Sequence, residues 1–475
     1  MPGSTDTGRV QVISRRVIKP PAPAPAPETT IHLTPWDLRL ITIDYIQKGV
    51  LLPKPKHEHG HATVDRLASS FARALALFHP FAGRLTVDER AGGTVTVSLR
   101  CTGEGAEFIH AAAPGVTAAD ITGDLYIPRE LVASLFPLNG LVSADAASAA
   151  DGEPRRAPLL AAQVTELDDA VFVAASLNHA VGDGTTFWHF VNTWSDLSRT
   201  GDATSERPPP VLERWFLDTC PVPVPLPFAK LEHAVRRRPE NQQPPLEECF
   251  FHFSGESVKK LKARANAEVR SMSSGEADTA TDVTISSRQA VLGQLWRSVC
   301  RARRLEPSQK TTYVLLIGCR GRVKGIPAAG YVGNAVVPCK VTSTAGEVVG
   351  KGLGWAALQL NRAVASSADE AALVRESLER WVRDPRLAYN TDLLGAAAAD
   401  VGTGSSPRFD VYGNDFGWGK PVAVRCGPGN KLDGKTTVFE GRGGGGAVAL
   451  EVCLAPDALA RLVADEEFMH AVTVP

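Results

Sequence analysis

The feature that most restricts this chain is the proline-dense stretch 201–247. ProProPro (208–210), ProValProValProLeuPro (221–227) and GlnGlnProPro (242–245) follow one another inside it. Proline removes a backbone donor and clashes with the preceding turn, so neither a helix interior nor a central strand can run through such a segment. The stretch reads as a long crossover between two halves of similar size. A chain of 475 residues is also too long for one ordinary core. At the N-terminus, ProProAlaProAlaProAlaPro (20–27) is a stiff polyproline-type run with no capacity to build a core, so 1–28 reads as a flexible Pro-rich arm. Folding is expected from about Thr29, with one domain over 29–200 and a second over 248–475.

Each half alternates helical and strand periods. Val64, Leu67, Ala68, Phe71, Leu75 and Phe78 recur at three- and four-residue steps and predict a helix over 63–78, stopped by Pro80 and Gly83. ThrValThrValSer (94–98) alternates as a strand does. LeuLeuAlaAlaGlnValThr (159–165) and AlaValPheValAlaAlaSerLeu (170–177) predict a hairpin turned at Asp168 and Asp169, the second strand buried on both faces. Beyond the crossover, a strand is expected at 249–254 and a helix at 257–267. A second helix, carrying Val291, Leu292, Leu295, Trp296 and Val299 on one face, takes Ser287 as its N-cap. ThrTyrValLeuLeuIleGly (312–318) reads as a buried strand. The pattern is an α/β fold of two domains, and no internal repeat stands out.

Composition excludes several classes of function. Lys plus Arg (51) nearly cancels Asp plus Glu (52), which argues against a nucleic-acid binder. No run of about 18 apolar residues is present to span a bilayer, and the first residues lack the apolar centre of a secretory signal. A cytoplasmic location follows as the expectation. The eight cysteines are scattered, with no CxxC and no zinc-type spacing to histidine, so no metal site is expected and free thiols are.

The residues that carry chemistry lie in AsnHisAlaValGlyAspGly (178–184), at the end of the second hairpin strand. Gly182 and Gly184 make this a tight loop rather than a helix. Asp183 is a natural N-cap for the helix that follows, whose buried stripe is Phe187, Phe190, Val191 and Trp194. His179, flanked by an asparagine and close to glycines that allow a ligand near the backbone, is suited to a general base at neutral pH. The other ten histidines lack such a setting. GlyArgGlyGlyGlyGly (441–446) formally matches a dinucleotide fingerprint. It precedes a strand instead of following one, and a hairpin turn is expected there.

The loop 178–184 resembles the HxxxDG motif of the plant BAHD acyl-CoA-dependent acyltransferases. The family's second motif, DFGWG, stands intact at Asp415, Phe416, Gly417, Trp418 and Gly419, at the spacing the family shows. HisProPheAlaGlyArgLeu (79–85), CysArgGlyArg (319–322) and GlyTyrValGlyAsn (330–334) agree, and the resemblance runs from about 29 to 470. ThrProTrpAspLeu (34–38) is similar to a poorly characterised branch. Two positions depart from the pattern: Gly318 stands where many relatives carry an acid, and Ser406 replaces a tryptophan usual in hydroxycinnamoyl-transferring members.

The resemblance implies two chloramphenicol-acetyltransferase-like α/β domains with an active-site channel between them. It implies acyl transfer from a CoA thioester to the hydroxyl or amine of a plant metabolite, in a ternary complex with His179 as base. Acyl-CoA is then a co-substrate, and no bound cofactor is implied. Asp183 completes the catalytic loop and pairs with Arg320. Asp415 to Gly419 serve as a structural or CoA-binding motif, while Ser405, Ser406 and Asn334 are candidates for the channel. A monomer is expected, with no nucleic-acid or membrane partner. Two rival readings remain: a CoA-independent lyase on the same fold, and a non-catalytic protein that binds acyl-CoA or a metabolite.

Overall fold

The structure, a computed structural model, describes residues 10–21, 29–55, 61–147, 156–201, 207–236, 244–273, 283–368, 371–390, 399–404, 406 and 408–473. The strands of the first half are β1 (Gln11–Ile18), β2 (Thr30–His32), β3 (Ile46–Pro53), β4 (Arg84–Arg90), β5 (Thr94–Arg100), β6 (Ala106–Ala112), β7 (Leu160–Glu166) and β8 (Ala170–Leu177). Those of the second are β9 (Glu247–Phe253), β10 (Lys310–Gly318), β11 (Val336–Thr344), β12 (Val401–Gly404), β13 (Ala423–Cys426), β14 (Lys435–Glu440) and β15 (Val448–Leu454). They form two six-stranded sheets, ordered β1-β6-β7-β8-β3-β13 and β11-β10-β12-β14-β15-β9, and a small sheet β2-β5-β4.

The two large sheets share a plan over four of their six strands, one that the sequence hides. In the first, β3 and β8, then β8 and β7, pair antiparallel, and β7 and β6 pair parallel. In the second, β9 and β15, then β15 and β14, pair antiparallel, and β14 and β12 pair parallel. β8 and β15 therefore occupy equivalent places. β8 ends in the loop that carries His179, whereas β15 runs through Ala455 straight into the helix Pro456–Val463. Only one of the two equivalent strand ends carries the His-to-Asp loop.

Two expectations are corrected. Residues 10–21 are not an arm: Gln11–Ile18 is an edge strand, paired antiparallel with β6. The polyproline run that follows had obscured its alternation, and 22–28 lie outside the described residues. The halves are not cleanly separate either, because β13 from the second half pairs with β3 and completes the first sheet. Smaller shifts concern the helix Ser287–Ala302, whose N-cap is Ser286 in a reciprocal box with Gln289. β10 is not buried throughout. It pairs with the edge strand β11, and Leu316 is 42% exposed on the uncovered face.

The core of the first half forms where the helix His61–Leu77 meets the helix Gly184–Thr200. Phe71 packs edge-to-face on Trp194 (5.0 Å) and Phe190 (5.7 Å), and Trp194 Nε1 donates to the Leu67 carbonyl at 3.1 Å. Edge-to-face contacts add to the burial of such rings. On the second sheet, the helices Gly255–Ser273, Ser287–Ala302 and Gly352–Ala368 supply a separate apolar core. Trp194→Ala should lower unfolding free energy by about 3–5 kcal/mol. Urea titration reads this as a lower midpoint at unchanged slope, and a midpoint equal to the parent's would contradict the packing described.

Candidate active site

The loop 178–183 carries the chain from β8 into the next helix. Asp183 takes extended dihedrals and caps the helix Gly184–Thr200, its Oδ1 accepting from the amides of Thr185 (3.0 Å) and Thr186 (3.1 Å). The same carboxylate accepts a bidentate pair from Arg320, Nη1 to Oδ2 at 2.7 Å and Nη2 to Oδ1 at 2.9 Å. The Ala335 amide adds a further bond to Oδ2 at 3.0 Å. Burial alone would push this carboxyl up; the Arg320 charge and the hydrogen bonds outweigh it and hold it below the ordinary carboxylate value. Arg320 also reaches the carbonyl of Gly333 at 2.8 Å and the Thr186 hydroxyl at 3.1 Å. A segment of the second half thus grips the His179–Asp183 loop of the first.

His179 is fastened by its backbone, leaving its ring for other use. Its amide donates to Ser143 Oγ (3.0 Å) and its carbonyl accepts from Asn334 Nδ2 (2.8 Å). Ring Nδ1 is buried and makes no regular hydrogen bond among the described residues. Burial drives the imidazole pKa below its ordinary value, opposed by the residue's own carbonyl and by the Asp183 charge, and reinforced by the charge of Lys435. The balance of these influences favours the neutral imidazole.

Asn334 was expected as a channel residue, but it is fully buried and holds the His179 carbonyl. It is oriented in turn by Asp37, whose Oδ1 accepts from both its amide (3.0 Å) and its side chain (2.9 Å). Asp37 Oδ2 closes a capping box with Thr34 and lies 3.8 Å from Arg214 Nε. Arg214, from the crossover, also donates to the Val181 carbonyl at 3.0 Å and to that of Val332. Gly333 sits at φ 142°, a backbone conformation that L side chains rarely adopt, which accounts for glycine there. Asp37, Ser143 and Arg214 were not singled out from sequence. The ThrxxAsp of a capping box at 34–37 was the available signal for Asp37; the other two carry none.

The DFGWG segment lies elsewhere. Phe416 is buried edge-to-face on Trp194 at 5.0 Å, and its carbonyl accepts from Ser198 Oγ (2.8 Å) and Arg66 Nη1. Asp415 Oδ1 accepts from the amides of Gly417 (2.8 Å) and Gly419 (3.0 Å), folding the loop on itself. Trp418 Nε1 donates to the Pro53 carbonyl at 2.8 Å, with Arg66 stacked over the ring. Ser198 is 14 residues beyond Gly184, or about 21 Å along the helix. The motif braces the far end of the helix that Asp183 begins, and it touches neither His179 nor Asp183. Of the two serines proposed for the channel, Ser405 lies outside the described residues. Ser406 Oγ accepts from the Arg408 amide, in a turn that sets Phe409 against Gly184.

Asp183→Ala should cost about 3–5 kcal/mol of stability, because it leaves the Arg320 guanidinium buried and unpaired. Arg320→Lys should recover little, since lysine cannot make the two-pronged contact. Chemical denaturation of the three proteins checks both statements. Gly417→Ala should lower stability without abolishing turnover, because φ there is 110° and the motif is remote from His179. Complete loss of activity in a folded Gly417→Ala protein would contradict the bracing role.

Among the described residues no cluster of three His, Cys, Asp or Glu could hold a metal ion, and no helix is long and apolar enough to cross a membrane. The profile of the Transferase family matches residues 8–469. An uncharacterised acetyltransferase of Arabidopsis thaliana is 36% identical over 462 residues, covering 97% of this chain and 99% of that one. The BAHD acyltransferase DCR of the same plant is 29% identical, with 97% and 92% covered. The crystal structure of vinorine synthase superposes with a TM-score of 0.66 at 18% identity, covering 98% and 99%, and so shares the fold. These likenesses run the length of the chain, and this chain belongs to the Transferase family of BAHD acyltransferases, enzymes that take their acyl group from acyl-CoA.

Proposed function

We propose that His179 is the general base of an acyl transfer from a CoA thioester to a hydroxyl or amine of a plant metabolite. The observation that carries the reading is a buried, neutral imidazole whose backbone is tied on both sides while Nδ1 has no regular partner. Nε2 is the nitrogen assigned as proton acceptor in this reading.

In the proposed step, the acceptor's proton passes to His179 Nε2 as its oxygen or nitrogen forms a bond to the thioester carbonyl carbon. The tetrahedral intermediate collapses, the carbon–sulfur bond breaks, and the imidazolium returns the proton to the CoA thiolate. Asp183 is a positioning residue in this scheme: both its oxygens are occupied by Arg320 and by backbone amides, so it holds the loop and takes no proton. Asp415 to Gly419 stabilise the helix behind the site. A ternary complex supplies rate by placing donor and acceptor together. A cytoplasmic monomer completes the reading.

The test is release of free CoA thiol from acetyl-, malonyl-, aliphatic and hydroxycinnamoyl-CoA, each mixed with fractionated plant metabolites. Parent and His179→Ala proteins are compared in parallel. Acceptor-dependent release in the parent, lost in the variant, is expected; equal release from both overturns the assignment. The pH profile is an independent check. A base whose pKa is depressed stays neutral to lower pH, so kcat/KM should lose activity only on descending below about 6.5. An acidic limb centred at or above that value contradicts burial as the dominant influence on His179.

A further inference from the structure

Beside His179 lies a group of charges that the acyl-transfer step does not use. Ile46 and Lys48 of β3 stand opposite Leu177 and Ala175 of β8, the strand that delivers His179. Lys48 Nζ lies over the Phe439 ring of β14 at 5.4 Å and donates to Cys426 Sγ at 2.7 Å, so its side chain sits between the two large sheets. Lys435, the first residue of β14, donates to the Asn430 carbonyl at 2.5 Å. Asn430 is itself anchored on Asp44 and Tyr45, the residues that lead into β3. Cys426 Sγ, which Lys48 meets, lies 3.6 Å from Thr437 Oγ1, two residues along β14 from Lys435, so both lysines enter the same gap between the sheets, and Lys48 stands opposite Ala175, four residues before His179.

Lys431 shows what a settled buried ammonium looks like in the same region. It is bound between Glu248 and Glu451, which hold it well above its ordinary pKa. Among the described residues Lys48 and Lys435 have no carboxylate within ion-pair distance; the charges of Glu451 and Asp44 reach them only from farther away, and both lysines retain some contact with solvent. Burial, and then the Lys48 charge, bring Lys435 down to about 8. Each ammonium can donate three hydrogen bonds. Two like charges beside a base that must accept a proton are unfavourable for the empty protein. A bound anion reverses this: it pairs with both lysines and removes the repulsion that disfavours a protonated His179.

We propose that Lys48 and Lys435 form a carboxylate-binding subsite beside His179, and hence that this enzyme acts on a substrate carrying a free carboxylate apart from its reacting group. The proposal rests on the acyl-transfer reading for what reacts, but not for what binds. The carboxylate can arrive on the acceptor or at the far end of a dicarboxylic acyl group; the lysines would recognise either.

The experiment measures binding by calorimetry to the full chain, using matched pairs that differ in charge. Succinyl-CoA is set against butyryl-CoA for the donor, and 3-hydroxybenzoate against its methyl ester for the acceptor. The parent should prefer the charged member of at least one pair, and the pair that shows it identifies the source of the carboxylate. Lys435→Met and Lys48→Met should weaken that member roughly 10- to 100-fold and leave the neutral one unchanged. Lys435→Arg should keep most of the preference, which guards against a variant that merely fails to fold. The proposal is overturned if the parent binds neither acid, if it binds charged and neutral members alike, or if both methionine variants keep the preference. A charge preference that survives in His179→Ala, with thiol release absent even from the parent, would remove the transfer reading and leave the subsite standing.

Discussion

The active loop of this protein depends on one buried ion pair. Asp183 and Arg320 face each other with two short hydrogen bonds, and neither is appreciably exposed. A pair of this kind gains little over an apolar contact of the same size, because both charges must be stripped of water. Its value is directional. The planar guanidinium matches the carboxylate at two points, and the remaining donors of Arg320 reach the Gly333 carbonyl and the Thr186 hydroxyl. The pair therefore fixes the start of the helix Gly184–Thr200, and with it the exit of β8 on which His179 rides.

A second carboxylate works in series with the first. Asp37 aligns Asn334, and Asn334 holds the carbonyl of His179, while Arg214 ties Asp37 to the carbonyl of Val181. These contacts come from the start of the chain, from the crossover and from the second half. His179 thus belongs to the first sheet by sequence and is positioned by groups distant in sequence. The rigidity leaves the imidazole as the one group in the loop whose ring is not committed to the scaffold. The DFGWG brace has the complementary duty. It pins the far end of the same helix through Phe416 and Ser198, so the helix is held at both ends.

The lysines between the sheets follow a different logic. Lys431 is neutralised by two glutamates; Lys48 and Lys435 bond a thiol and a carbonyl, with the charges of Glu451 and Asp44 beyond ion-pair distance. A protein optimised for stability alone would not leave two such charges together next to its general base. The arrangement makes sense if the compensating charge comes with the substrate.

Sequence alone determined the class of fold and the course of most elements, and it singled out His179 as the candidate base. These are local signals: the 3.6-residue period of the helix His61–Leu77, the apolar run of β8, and glycines around a histidine at a strand end. The partner of Asp183 came from family resemblance and not from spacing, since 137 residues separate it from Arg320. Only the tertiary structure decided that Gln11–Ile18 is a strand, that β13 crosses into the first sheet, and that the two sheets share one plan. It alone brought Asp37, Ser143 and Arg214 to the loop and stood Lys48 beside Lys435. The physical reason is common to all of these: edge pairing, buried charge and hydrogen bonds between remote segments depend on which surfaces meet. A periodicity within one segment carries no record of its neighbour.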